Sequence, residues 1–234
     1  MNKELDQLIE NTFPQSIEIQ EPQQEQEQKV VQDFTLLKRK SKEKLSLLQS
    51  IFQQKVNIEV QKKSNSFLQS YLKDWNKLKF KLLYQASVDG VYVEKFHQLC
   101  DGQGPTLIFY LSELGDVFGV YSQVSIKSSY KGIIEYDPEL FVFQLDKRTV
   151  HYSTKVKDNL FYHNSYFNSL GNFLEFDIKN DIEYYNQIIT CTTKNFGESF
   201  ELAKNSEFGS VNAQIYLGGA QQFKILEVEV YSIL

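Results

Sequence analysis

The chain has 234 residues, 41% of them hydrophobic and 14% aromatic, enough for one domain with a sizeable core plus an extension. Its net charge of −5 disfavours nucleic acid or an anionic membrane surface as the main partner, because both need a basic face. Two cysteines, Cys100 and Cys191, are too few for a disulfide scaffold or a zinc finger and point to a reducing, intracellular (cytoplasmic) setting.

No run approaches the roughly 18–20 apolar residues that a spanning helix needs. The N-terminal MNKELDQLIENTF carries acids early and no apolar core, so it reads as neither a secretory signal nor a transit peptide. Residues 1–32 form a first region. Leu5, Leu8 and Ile9 make at most a turn or two of docking peptide. Gln20 to Gln32 is mostly Gln and Glu, a disordered linker or a solvated helix start after Pro22.

Residues 33–79 form a second region. It lacks Gly and Pro and is rich in Lys, Leu, Gln and Glu, so it is expected to be helical. One apolar set runs through Leu37, Leu45, Leu48, Ile51, Phe52, Val56 and Ile58; a second holds Phe67, Leu68, Tyr71, Leu72, Trp75 and Leu78, with a break at Ser64-Asn65-Ser66. Lys40, Lys44 and Lys55 interrupt the heptad, so coiled-coil pairing, packing on its own domain and a short antiparallel hairpin all remain open. An oligomer through this helix is one consequence.

Residues 80–234 form the third region. Phe80 to Ala86 is apolar, a strand or helix. Asp89-Gly90 is punctuation, and Val93 to Cys100 has helical spacing, closed by Asp101-Gly102. Thr106 to Leu111 and Val117 to Val124 form a hairpin around Gly115. Ser125 to Gly132 is an exposed polar loop. Leu140 to Leu145 is a strand buried on both faces, and Thr149 to Val156 returns from it. Asn159 to Leu170 is an aromatic loop with Phe161, Tyr162, Tyr166 and Phe167. Gly171 to Ile178 is a further strand, Asn180 to Tyr185 a turn, and Gln187 to Thr193 a β-branched strand or loop. In the terminal strand Phe223 to Leu234, strict alternation puts Phe223, Ile225, Glu227, Glu229 and Tyr231 on one face.

Ser87 to Tyr121 resembles the TLDc domain. The matching residues are Ser87, Asp89, Gly90, Phe96, His97, Cys100, Asp101, Gly102, Gly104, Pro105, Thr106, Leu107, Gly115, Phe118, Gly119 and Tyr121. Asp137 with Phe141, Phe143 and Leu145, Phe196 to Phe200, and the Glu227-x-Glu229 ending extend the resemblance over residues 82–234. Two positions depart from it: Val120 stands where the family has a second Gly, and Ile126 where it has Trp. The short antiparallel strands and few helices predict an α+β, mostly β fold: a two-layer antiparallel β-sandwich with peripheral helices, preceded by a long N-terminal helix. The resemblance implies the same fold. It also implies a non-enzymatic protein-interaction domain without a cofactor, linked to oxidative-stress protection, several of whose relatives bind and modulate the vacuolar-type proton-pumping ATPase.

The residues leave two rival functions. A structural subunit could dock into a large assembly through the helix. An enzyme could use His97 with Cys100 as a dyad or half a metal site, or Glu227 with Glu229 as an acid–base pair. More simply, Cys100 fills the core, His97 is a capped or hydrogen-bonded surface residue, Glu227 and Glu229 lie on an exposed sheet face or accept from loop amides, and Asp89, Asp101 and Asp137 shape turns. The reading favours no enzyme and no metal site.

Overall fold

The computed structural model describes residues 21–62, 64–155, 157, 159–163, 165, 175–181, 186–193, 196–204 and 206–234. The docking turn expected at Leu5, Leu8 and Ile9 lies outside them, as do Tyr166, Phe167 and residues 171–174. The chain divides into two units, Met1–Ser46 and Leu47–Leu234.

The described part of the first unit is helical. Helix α1 spans Glu21–Val60 and has Pro22 in its first turn, where the missing N–H costs nothing. Residues 21–32, expected as a linker or solvated helix start, are therefore helix. Leu36 and Leu37 are exposed, and Arg39 pairs with Glu43 one turn on.

In the second unit α1 ends at Val60, and the expected helix through Lys79 is replaced by turns around a 3-10 turn at Leu68–Ser70. Lys62 takes a left-handed backbone (φ 52°), which stops the helix. Its ammonium then donates to the carbonyls of Trp75, Asn76 and Leu78. Glu59, 3% exposed, accepts from Ser66 Oγ and from the amides of Phe67 and Leu68. These side chains satisfy backbone groups that a continued helix would have paired internally.

The strands are β1 (Phe80–Gln85), β2 (Thr106–Ser112), β3 (Val117–Ser122), β4 (Ile133–Glu135), β5 (Phe141–Gln144), β6 (Thr149–Tyr152), β7 (Leu160–Tyr162), β8 (Glu175–Asp181), β9 (Asn186–Thr192) and β10 (Gln222–Ile233). Helices α2 (Ala86–Asp89), α3 (Val93–Cys100) and α4 (Val211–Gln214) are short. Among the described residues every strand pairing is antiparallel. The main sheet runs β6-β5-β3-β2-β10-β9-β8, with β1 also on β10; β4 and β7 pair separately.

Strand β10 carries the sheet's branch point. Its first half pairs with β9 and its second half with β1, while β2 runs along the other edge. In a flat sheet β8 would stand about 14 Å from β2, three strand spacings away. Instead Phe176 of β8 stacks on Tyr110 of β2 with centroids 4.7 Å apart. The sheet folds over on itself, and the expected mostly β, antiparallel two-layer fold with peripheral helices follows. Between the layers lie Ile108, Tyr110, Phe118, Val120, Val142, Phe176, Ile189 and Phe223, closed by Phe96 and Cys100 of α3. The outer face of β2, β3 and β5 presents Leu107, Phe109, Val117, Phe141 and Phe143. It is covered by Phe52 and Val56 of α1 and by Phe67, Leu68, Leu72 and Trp75.

Strict alternation along β10 fails at one place. A bulge between Ile225 and Glu227 shifts the register, so Phe223 and Ile225 share the inner core with Val228 and Val230, not with Glu227, Glu229 and Tyr231. One extra residue flips every side chain beyond it, and that offset leaves no mark in composition. Strand β7 falls within the expected aromatic loop, and β4 follows the expected polar loop in a stretch with no expected element; three residues are too few to display a period.

Candidate functional site

Four of the family-motif residues, Asp89, Gly90, Glu227 and Glu229, gather where β1, α2 and β10 meet. Glu227 and Glu229 are 4% and 1% exposed. Glu227 Oε1 accepts from the amides of Ser87 and Val228, both at 3.0 Å. Glu229 accepts from Gln85 Nε2 at 3.3 Å and from the Tyr231 hydroxyl at 2.7 Å. Asp89 accepts from the amide of Gln85 at 2.8 Å, and the Tyr84 hydroxyl donates to the carbonyl of Gly90 at 2.7 Å. Burial raises the Glu229 carboxyl above its ordinary range; the bond from Tyr231 opposes this and the neighbouring Glu227 adds to it. The Tyr84 and Tyr231 hydroxyls are also pushed up, chiefly by burial. The acid pair is thus a set of buried acceptors holding α2 and β1 on β10.

His97 and Cys100 share α3. His97 is 7% exposed, and its Nδ1 lies 2.8 Å from Asp101 Oδ1. Cys100 is fully buried in the inner core, and burial holds its thiol well above the ordinary range, opposite to what a nucleophile or redox sensor needs. Gly102 has φ +70° and donates its amide to the carbonyl of Ile126, the residue standing in the family's Trp position. Among the described residues, no group of three or more His, Cys, Asp and Glu side chains is placed to hold a metal ion.

The remaining motif positions serve packing. Gly115 (φ +94°) forms the hairpin turn. A Cβ at Gly119 would sit 2.2 Å from the Ile108 carbonyl and 2.3 Å from the Phe143 ring, so only glycine fits there. Phe118 and Val120 are fully buried. Tyr121 stacks on Phe141 at 4.9 Å, and burial, with Asp137 and Glu139 nearby, pushes its hydroxyl up to about 12. It lines a shallow groove with Tyr71, Leu78, Pro105, Gln123 and Glu139. Asp137 gathers Ser122 Oγ and the amides of Gln123, Val124 and Glu139, binding the end of β3 to the start of β5.

One arrangement was not foreseen. The polar loop Ser125 to Gly132 and the aromatic segment from Asn159 are joined by the pairing of β4 with β7. Ile133 and Tyr162 form the inward pair, packed on the inner core, and Ile134 and Phe161 form the outward pair. Gly132 lies under the Phe161 ring, and Lys127 pairs with Glu135. Tyr130, Ile134 and Tyr136 are 88%, 62% and 43% exposed, three large apolar side chains within seven residues. Their clustering in IKSSYKGIIEY was the available signal.

No curated protein matches the chain. The family model for the TLDc domain matches residues 52–234. Its start falls within α1, at Phe52, where the helix enters the outer core. That match covers well over half of the sequence and spans both layers of the sheet, so the chain belongs to the TLDc domain family.

Proposed function

We propose that this TLDc domain is a non-enzymatic docking module that binds the soluble sector of the vacuolar-type proton-pumping ATPase and acts in protection against oxidative stress. The observation that supports this reading is the surface at β4 and β7, where Ile134 stands exposed on the two-stranded pair and Tyr130 and Tyr136 stand exposed on either side of β4. Aromatic and aliphatic anchors of this kind carry most of the binding energy in protein interfaces. The deep burial of Cys100, Glu227 and Glu229, with the donors that Glu227 and Glu229 accept from, weighs against the rival enzyme. The described residues contain no helix long and apolar enough to cross a membrane, and the proposed setting is the cytoplasm, peripheral to the pump.

The test is capture of the purified pump sector by wild type and by a Tyr130→Ser/Ile134→Ser/Tyr136→Ser triple variant. All three side chains are exposed, so the variant keeps the fold. Loss of tenfold or more in affinity is expected, equivalent to about 1.4 kcal/mol or more. Equal capture by both proteins excludes this surface. A thiol-reactivity profile accompanies it: Cys100 stays inert in the folded protein, and a fast-reacting Cys100 would favour the enzyme.

A further inference from the structure

The apolar stripe of α1 does not end where the domain does. Leu48 packs against the outer core, and Phe52 and Val56 are buried within it. Counting back at intervals of three or four residues, the same stripe passes through Leu45, Ser41 and Leu37. Leu37 is 64% exposed and Leu45 38%. Leu36 and Leu47 add further exposed apolar surface beside it. A helix of this kind draws most of its stability from what covers its apolar face.

Charge identifies the cover. Residues 21–33 carry Glu21, Glu25, Glu27 and Asp33 against Lys29, a net charge of −3. Residues 38–44 carry Lys38, Arg39, Lys40, Lys42 and Lys44 against Glu43, a net charge of +4. A parallel pair of such helices would lay acid on acid and base on base. An antiparallel pair lays the acidic half of each on the basic half of the other. We propose that α1 mediates self-association: residues 21–46 of two copies pair as an antiparallel two-helix coil, with Leu37 and Leu45 in the seam and the opposite charges setting direction. An anionic membrane could recruit the basic leucine-flanked half, but the acidic half of the same helix would be repelled from it. The inference uses a different part of the chain from the docking surface of β4 and β7 and stands or falls separately.

The experiment uses two full-length charge-reversal variants, Lys40→Glu/Lys42→Glu/Lys44→Glu and Glu21→Lys/Glu25→Lys/Glu27→Lys, with light scattering behind size exclusion. Wild type is expected at twice the 27.4 kDa chain mass. Each variant alone is expected at the single-chain mass, and an equal mixture of the two returns to the doubled mass. That restoration also shows that both variants keep a competent helix. A monomeric wild type, dimers of either variant alone, or a mixture that stays monomeric overturns the proposal. So does a wild type that floats with phosphatidylserine vesicles while remaining monomeric.

Discussion

Glu229 carries the plainest pH signature in the domain. It is buried beside Glu227 on β10, and its hydroxyl donor Tyr231 offsets only part of the cost of taking a carboxylate out of water. Its folded-state pKa is therefore raised above the ordinary value of 4.5. The folded protein holds this proton to higher pH than the unfolded chain does. The stability contributed by the group is full below the unfolded value and is lost as pH rises through the folded one. Glu229→Gln removes that titration. In urea denaturation at a series of pH values, the variant is expected to gain relative to wild type as pH rises from about 4 towards neutrality. A constant difference across that range would show that Glu229 does not titrate on folding. At this scale the sequence was readable where a residue type has one good use in a fold. Asp89 and Asp137 read as turn acceptors, and Cys100 read as core. Partners were not readable: nothing in Glu-x-Glu says that Ser87 and Gln85, some 140 residues earlier, supply donors.

Elements were legible in proportion to their length and to the punctuation around them. Helix α3 and strands β2 and β3 fall where periodicity and the Asp-Gly and Gly-Pro turns put them, within one or two residues. The stretch after Val60 was misread because its spacing and composition are those of a helix. Its outcome is decided by Lys62 and Glu59, whose tertiary bonds override local propensity. Glu59→Gln tests this. The amide keeps the shape but turns an NH2 group towards donors, so one or more of the bonds from Ser66, Phe67 and Leu68 is lost. The expected cost is about 1–3 kcal/mol, seen as a lower urea midpoint at unchanged slope. An unaltered midpoint would mean that the outer core, not the carboxylate, holds the segment.

For the whole molecule the question is where the folding unit begins. Sequence pattern put the boundary at residue 80, because residues 33–79 read as one helical region whose first apolar set, Leu37 to Ile58, fits coiled coil and packing on the domain equally well. The compact unit instead begins at Leu47, and the family match begins at residue 52. The reason is the outer face of β2, β3 and β5. Parallel sheets are not the only ones buried on both sides; here Leu107, Phe109, Phe141 and Phe143 need a cover, and the chain supplies it from upstream. A chain starting at residue 80 loses six buried side chains: Phe52, Val56, Phe67, Leu68, Leu72 and Trp75. Burial of each is worth roughly 1.5–3 kcal/mol, so their joint loss rivals the entire stability of an ordinary domain, about 5–15 kcal/mol. A chain starting at residue 47 keeps them all. The shorter truncation is expected to unfold cooperatively at the wild-type urea midpoint, and the longer one to aggregate or to melt without a cooperative transition. Cooperative unfolding of the residue-80 chain at the wild-type midpoint would show that the upstream cover is dispensable. The comparison also bears on function, because loss of a partner after deleting residues 1–79 would report a broken domain, whereas loss after deleting residues 1–46 would report the helix itself.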